Sequence, residues 1–188
     1  MPRIVEEAPY NGAVERAERL GLGELLAEAR GILTGFTLRV KEQKDGNGGA
    51  AVRKLIDARF NEAVGWTKKQ TGGVDWTKCR VVKKVRVCIG IEVQFSGRSD
   101  LVVVDLIHLR TAIVRGQIDL GLLVVPSDRL GRFLTDRGPK MADAKRHARE
   151  ARVEDLPMLI WALEHDGPGP PLAKQAKSPS GGYPTTPE

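Results

Sequence analysis

The 188-residue sequence has only two cysteines, Cys79 and Cys88, and three histidines. So few cysteines argue against a disulfide framework, and without a nearby Cys/His set they form no zinc site. No apolar run approaches the roughly 20 residues that a membrane span requires. The N-terminus lacks the basic-then-apolar pattern of a secretory signal, so a cytoplasmic, reducing location and no membrane partner are expected. No internal repeat is visible. The stretch Gly46-Asn47-Gly48-Gly49 lacks the Gly-Lys-Ser/Thr of a nucleotide-binding loop and reads as a flexible turn. The length suits one α/β domain with a real core and leaves no room for two comfortable ones.

Positive charge is in surplus. The formal net charge is +6 and the pI is near 9.5, which points to a polyanionic partner. From residue 129 to residue 152 there are eight Lys/Arg against three acids, Asp136, Asp143 and Glu150. A phosphate backbone is the natural counterpart of such a stripe. Lys140, Lys145, Arg146, Arg149 and Arg152 are therefore candidates for phosphate contact.

Periodicity gives the elements. Residues 13–33 have helical spacing that Gly21 and Gly23 interrupt, predicting two short helices. Residues 36–40 alternate as a strand, 41–49 form a polar turn, and 50–64 make an amphipathic helix ended by Gly65. Trp66 and Trp76 flank the following loop and anchor it in the core. Residues 81–95 carry the strongest strand signal. Val85, Val87, Ile89, Ile91, Val93 and Phe95 share one face, and Arg86, Cys88, Gly90, Glu92 and Gln94 the other. Residues 105–115 read as a helix, 118–125 as a strand buried on both faces, 130–139 as loop, 141–152 as a basic helix, and 158–163 as a last strand. The expected fold is a central mixed β-sheet flanked by helices. Residues 1–35 form an N-terminal helical segment, 36–165 the core domain, and 166–188, rich in proline and glycine, a disordered tail.

Glu92 and Gln94 are two apart on a strand whose opposite face needs the core, so both side chains emerge together. Asp75 lies 17 residues before Glu92, and a hairpin of that length can return one beside the other. Two converging carboxylates need a cation between them, and hard oxygen ligands suit Mg²⁺. Mg²⁺ acidifies water and offsets charge on a phosphoryl group. Gln94 carries no charge and is no strong base, but its amide can orient the attacking water.

The segment 91–126, IEVQFSGRSDLVVVDLIHLRTAIVRGQIDLGLLVVP, resembles the core of the BglII/BamHI-type restriction endonucleases of the PD-(D/E)XK nuclease superfamily. The shared pattern is Glu-x-Gln at a strand end, a polar loop, a helix, then Gly-Gln-Ile-Asp-Leu-Gly leading into a buried strand. The resemblance implies a restriction-endonuclease-like fold, metal-binding roles for Asp75 and Glu92, and a catalytic role for Gln94. The spacing resembles the BamHI-type hairpin more than the shorter BglII-type one, in which the place of Asp75 would fall to Lys83. The resemblance further implies a helical acid or amide near the metal, Asn61 or Glu62, and a DNA-facing loop that includes Ser96 and Arg98.

These readings predict a Mg²⁺-dependent type II restriction endonuclease that hydrolyses double-stranded DNA at a palindrome as a homodimer. The dimer would form through the apolar helix bearing Val103, Leu106, Ile107, Leu109, Ile113 and Val114. The alternatives are a repair-type nuclease of the same fold and a non-catalytic DNA-binding module. His108, His147 and His165 are scattered, and His108 reads as a packing or interface residue.

Overall fold

The computed structural model describes residues 1–68, 73–135 and 138–174. The chain runs β1 (Arg3–Tyr10), α1 (Ala13–Leu20), α2 (Gly23–Thr34), β2 (Arg39–Val40), α3 (Gly49–Glu62), β3 (Thr67–Lys68), β4 (Trp76–Val82) and β5 (Val85–Val93). It continues through α4 (Val102–Val114), β6 (Leu120–Pro126), α5 (Asp128–Phe133), α6 (Met141–Glu150), β7 (Met158–Glu164) and β8 (Gly167–Pro168). Six strands form one sheet in the order β1-β7-β6-β5-β4-β3. The centre is parallel (β5, β6, β7) and both flanks are antiparallel. This is the expected mixed α/β architecture.

Each face of the sheet has its own core. Val87, Ile89, Ile91 and Val93 of β5 pack with Leu122, Val124 and the apolar residues of α1, α2 and α3. Cys88, Leu123, Val125 and Ile160 pack instead with α4 and α6. Strand alternation thus sends successive residues of β5 into two separate apolar layers. β6 is buried along its whole length, as its unbroken run of apolar residues predicts.

Several elements depart from the sequence reading. β1 was not foreseen: its two adjacent glutamates and Pro9 hide an edge strand that pairs with β7 and shifts register near Glu6. The N-terminal segment therefore contributes a strand as well as two helices. The strand expected over 36–40 is reduced to Arg39–Val40, which pairs with Gly167–Pro168. The start of the expected tail is consequently docked. Residues 175–188 of that tail lie outside the described residues. The expected loop over 130–139 begins inside a helix, α5, whose first turn is capped by the Ser127 hydroxyl accepting from the Leu130 amide.

The run 81–95 is not one strand but the two sides of a hairpin. It turns at Lys83 and Lys84, both with positive φ, and Val82 pairs with Val85. Such a two-residue turn usually announces itself with Asn or Gly, and two lysines give no such sign. The same hairpin overturns the expectation for the cysteines. Cys79 and Cys88 face each other across β4 and β5 and are joined as a disulfide.

Candidate active site

The β4–β5 register decides the geometry. Trp76 pairs with Ile91, so Asp75 and Glu92 stand opposite each other one position further along. Their carboxyls are close enough for each to shift the other's pKa. Lys83 sits at the other end of the hairpin, in its turn. Trp76 secures this end by stacking on Phe60 and by donating its indole N–H to Asp57 on α3. Trp66 packs edge-on against the same Phe60.

Asp75 is held by groups that sequence reasoning did not single out. Arg53, from α3, places Nη2 2.8 Å from Asp75 Oδ1. The Val93 amide donates to Oδ2 at 3.0 Å. Arg53 also bonds the Val93 carbonyl and, through Nε at 3.0 Å, the Asp57 carboxylate. Burial by itself would raise the Asp75 pKa. The contact with Glu92, the Arg53 guanidinium and the Val93 amide outweigh it, and Asp75 is held below the usual carboxylate range. The i,i+4 pair Arg53–Asp57 was the only sequence signal of this clamp.

Glu92 has the opposite environment. It was expected on an open strand face, but α4 covers that face and Glu92 is only 2% exposed. Desolvation, then the contact with Asp75 and its charge, and then Asp105 push its pKa up to about 11 against the pull of Arg53. Its Oε1 lies 3.1 Å from His108 Nδ1. Asp105, one helical turn before His108, is raised to about 7 by burial and by the charge of Asp75. Its Oδ2 is buried with no hydrogen-bond partner among the described residues. His108, expected as a packing or interface residue, thus stands against Glu92. The i,i+3 spacing of Asp105 and His108 was the signal that could have shown it.

Gly90 leaves room for this arrangement. A Cβ there would lie 2.6 Å from Ile118 Cδ1 and 3.2 Å from Val74, the residue before Asp75. On the other side, a Cβ on Gly49 would lie 1.9 Å from the Phe95 carbonyl oxygen. The start of α3 is therefore pressed against the end of the active strand, which is what allows Arg53 to reach Asp75.

The remaining predicted residues are more scattered. Gln94 is nearly buried; its side-chain amide donates to the Ser96 carbonyl at 2.9 Å. Asn61 and Glu62 are exposed at the far end of α3, where Glu62 pairs with Arg59. The helix delivers Arg53 to the site instead of either of them. Arg98 is exposed and paired with Asp100. Arg146 is paired with Asp143 and Glu150, Lys145 with Glu6, and Arg149 with Glu154, so much of the basic stripe is already neutralised. Lys140 differs. Together with Lys44, Arg132 and Ser99 it lines a hollow of about 680 Å³, and none of the three cations has an ion pair among the described residues. Gly138, on the same wall, lies close to the carbonyls of Phe95 and Gly97, so the hollow adjoins the loop leaving β5.

A mixed sheet flanked by helices, with two acids paired at the end of a β-hairpin, defines an α/β protein of the restriction-endonuclease-like fold. A family model described as restriction endonuclease BglII/BglIII matches residues 19–165, and the chain belongs to that family. Membership makes it a DNA-hydrolysing endonuclease. Among curated proteins none matches the chain. Among the described residues, no helix is long and apolar enough to cross a membrane.

The residues present fit a divalent cation. Carboxyl oxygens of Glu92 and Asp105 lie within 4.8 Å of each other, one oxygen of Asp105 has no hydrogen-bond partner among the described residues, and hard oxygen donors are what such an ion takes.

Proposed function

We propose that this chain is a type II restriction endonuclease that hydrolyses double-stranded DNA at a palindromic site, as a homodimer and with Mg²⁺. The observation that carries the reading is the pairing of Asp75 with Glu92 at the end of the β4–β5 hairpin, in a chain of the BglII/BglIII family. A divalent cation held at Glu92, with Asp75 beside it, would acidify water and offset charge developing on the scissile phosphoryl group.

The chain's own residues do the positioning. Arg53 keeps Asp75 ionised and fixed. With a divalent cation beside it Glu92 would be held as the carboxylate, its proton passing to solvent, because a positive charge offsets the penalty that keeps it neutral. Gln94 ends the active strand, and its amide orients the attacking water once the Ser96 carbonyl is released. Lys44, Arg132 and Lys140 hold backbone phosphates in the hollow beside that strand. Ser96 and Arg98 face the duplex from the loop between them. Leu101, Val104, Ile107 and Val114 leave an exposed apolar stripe along α4 that a second copy covers.

The test is a digest of unmethylated phage DNA, with Mg²⁺ and with EDTA, by the wild type and by Asp75→Asn. Discrete Mg²⁺-dependent bands that disappear in the variant are expected. A smear would indicate a nuclease without sequence preference, and intact DNA that is nevertheless bound would indicate a non-catalytic binding module.

A further inference from the structure

We propose that Asp105 and His108 of α4 join Glu92 as direct ligands of one divalent cation, making a mixed oxygen–nitrogen centre that prefers Mn²⁺ to Mg²⁺. This rests on the nuclease reading only in taking the cation to be the one used there.

Three observations carry the assignment. Glu92, Asp105 and His108 each offer a ligand atom, and these atoms all lie within 4.8 Å of one another. The buried Asp105 Oδ2 has no hydrogen-bond partner among the described residues, an arrangement that a folded protein seldom leaves without a ligand. The open coordination also lies on the α4 side. Both oxygens of Asp75 already accept a bond, one from Arg53 and one from the Val93 amide, and the guanidinium repels a cation from that edge. Glu92 has no Arg or Lys ion pair, and its only ion-pair partner among the described residues is His108.

The imidazole is also seated for the task. Nδ1 is the atom turned to Glu92. Behind the ring, a Cβ on Gly73 would stand 3.2 Å from Cδ2 and 3.3 Å from Nε2. Gly73, with φ +86°, thus leaves a slot that the ring occupies. With 37% of its side chain exposed, His108 sits at the solvent side of the cluster, where water and a phosphate oxygen can enter. Two carboxylates and an imidazole suit first-row ions such as Mn²⁺ and Co²⁺. Mg²⁺ keeps to oxygen and gains little from the ring.

The test uses the full chain, freed of metal, and reads binding without any DNA. Calorimetric titration with Mn²⁺ and with Mg²⁺ is expected to show Mn²⁺ bound at least about tenfold more tightly. His108→Ala should weaken Mn²⁺ by on the order of tenfold or more while changing Mg²⁺ little. Asp105→Asn should weaken both. Because either variant can perturb α4, a second measurement uses the wild type alone: the electron spin-echo of bound Mn²⁺ should carry modulation from a histidine nitrogen. Mn²⁺ bound without nitrogen modulation, or equal affinity for the two ions, overturns the assignment. Nitrogen modulation in a protein that leaves DNA intact keeps the centre and removes the nuclease reading. Cleavage that depends on Asp75, without nitrogen modulation, does the reverse.

Discussion

Arg53 and Asp75 form a largely buried ion pair, with Nη2 2.8 Å from Oδ1, between a helix and the first residue of the active hairpin. The guanidinium is tied at the same time to Asp57 and to the Val93 carbonyl, so one side chain joins α3 to both strands. Removing one member of a buried pair leaves the other charge without compensation. Arg53→Ala is expected to cost roughly 2–4 kcal/mol, measured by urea unfolding in EDTA. Arg53→Lys keeps the charge but loses the fork, and should recover only part of this. If Arg53→Ala unfolds at the wild-type urea concentration, the clamp has no structural weight.

The acids under α4 predict an unusual dependence of stability on pH. Glu92 and Asp105 titrate at about 11 and about 7 in the fold, against ordinary values of 4.5 and 3.8. Raised values mean that the metal-free fold holds protons that the unfolded chain has released. The stability this supplies is complete below about pH 4 and falls as pH rises; the share of Asp105 is lost by about pH 7, and that of Glu92 goes on falling toward 11. Asp75, with its depressed pKa, runs the other way, contributing at neutral pH and losing that contribution as acid protonates it. In EDTA, Glu92→Gln should therefore gain stability over the wild type as pH goes from 5 to 8, by up to about 4 kcal/mol. A stability difference that stays constant with pH would show that Glu92 is not protonated in the fold.

The sequence made this site only partly legible, for physical reasons. Period-two alternation located Glu92, and the apolar run 118–125 located the strand beside it. Alternation shows which side chains share a face but not what covers that face. The exposed Glu92 expected from the pattern is in fact buried beneath Asp105 and His108. Arg53 escaped because a helical arginine four residues before an aspartate is an ordinary surface pair until a tight approach at Gly49 brings it to Asp75. The position of the hairpin's turn was hidden by Lys83-Lys84, residues with no intrinsic preference for positive φ. The choice between Asp75 and Lys83 opposite Glu92 depended on locating that turn.

The Cys79–Cys88 bridge closes the hairpin over a separation of 9 residues. Loop closure of that length corresponds to about 2–3 kcal/mol of stabilisation. Dithiothreitol should lower the urea midpoint accordingly, and Cys79→Ser/Cys88→Ser should be insensitive to it. Alkylation of two thiols in the native, untreated protein would show that the bridge does not form in solution.

Lys44, Arg132 and Lys140 line one hollow, shared with Asp45 and Asp143, and make no ion pair among the described residues, unlike the paired Arg146. Removing a cation that neutralises one phosphate should reduce the slope of log affinity against log salt by about 0.9. Lys44→Ala, Arg132→Ala and Lys140→Ala are each expected to do so in fluorescence anisotropy with a DNA duplex and Ca²⁺. Arg146→Ala should leave the slope nearly unchanged, because its charge is already offset on the helix. Equal slopes in all four variants would place the duplex elsewhere on the surface.

The stripe on α4 gives the last prediction. Leu101, Val104, Ile107 and Val114 are each between 44% and 68% exposed, spaced so that they fall along one side of the helix. A palindrome presents two equivalent half-sites, and a twofold dimer is the arrangement that matches them. Val104→Glu places a charge in the middle of that side, where pairing would bring it against its own copy and desolvate it. Sedimentation should show a dimer for the wild type at micromolar concentration and a monomer for the variant, with unfolding in urea unchanged. The monomer should lose double-strand cleavage at low enzyme concentration. A wild type that sediments as a monomer both alone and on DNA would remove this face as the interface.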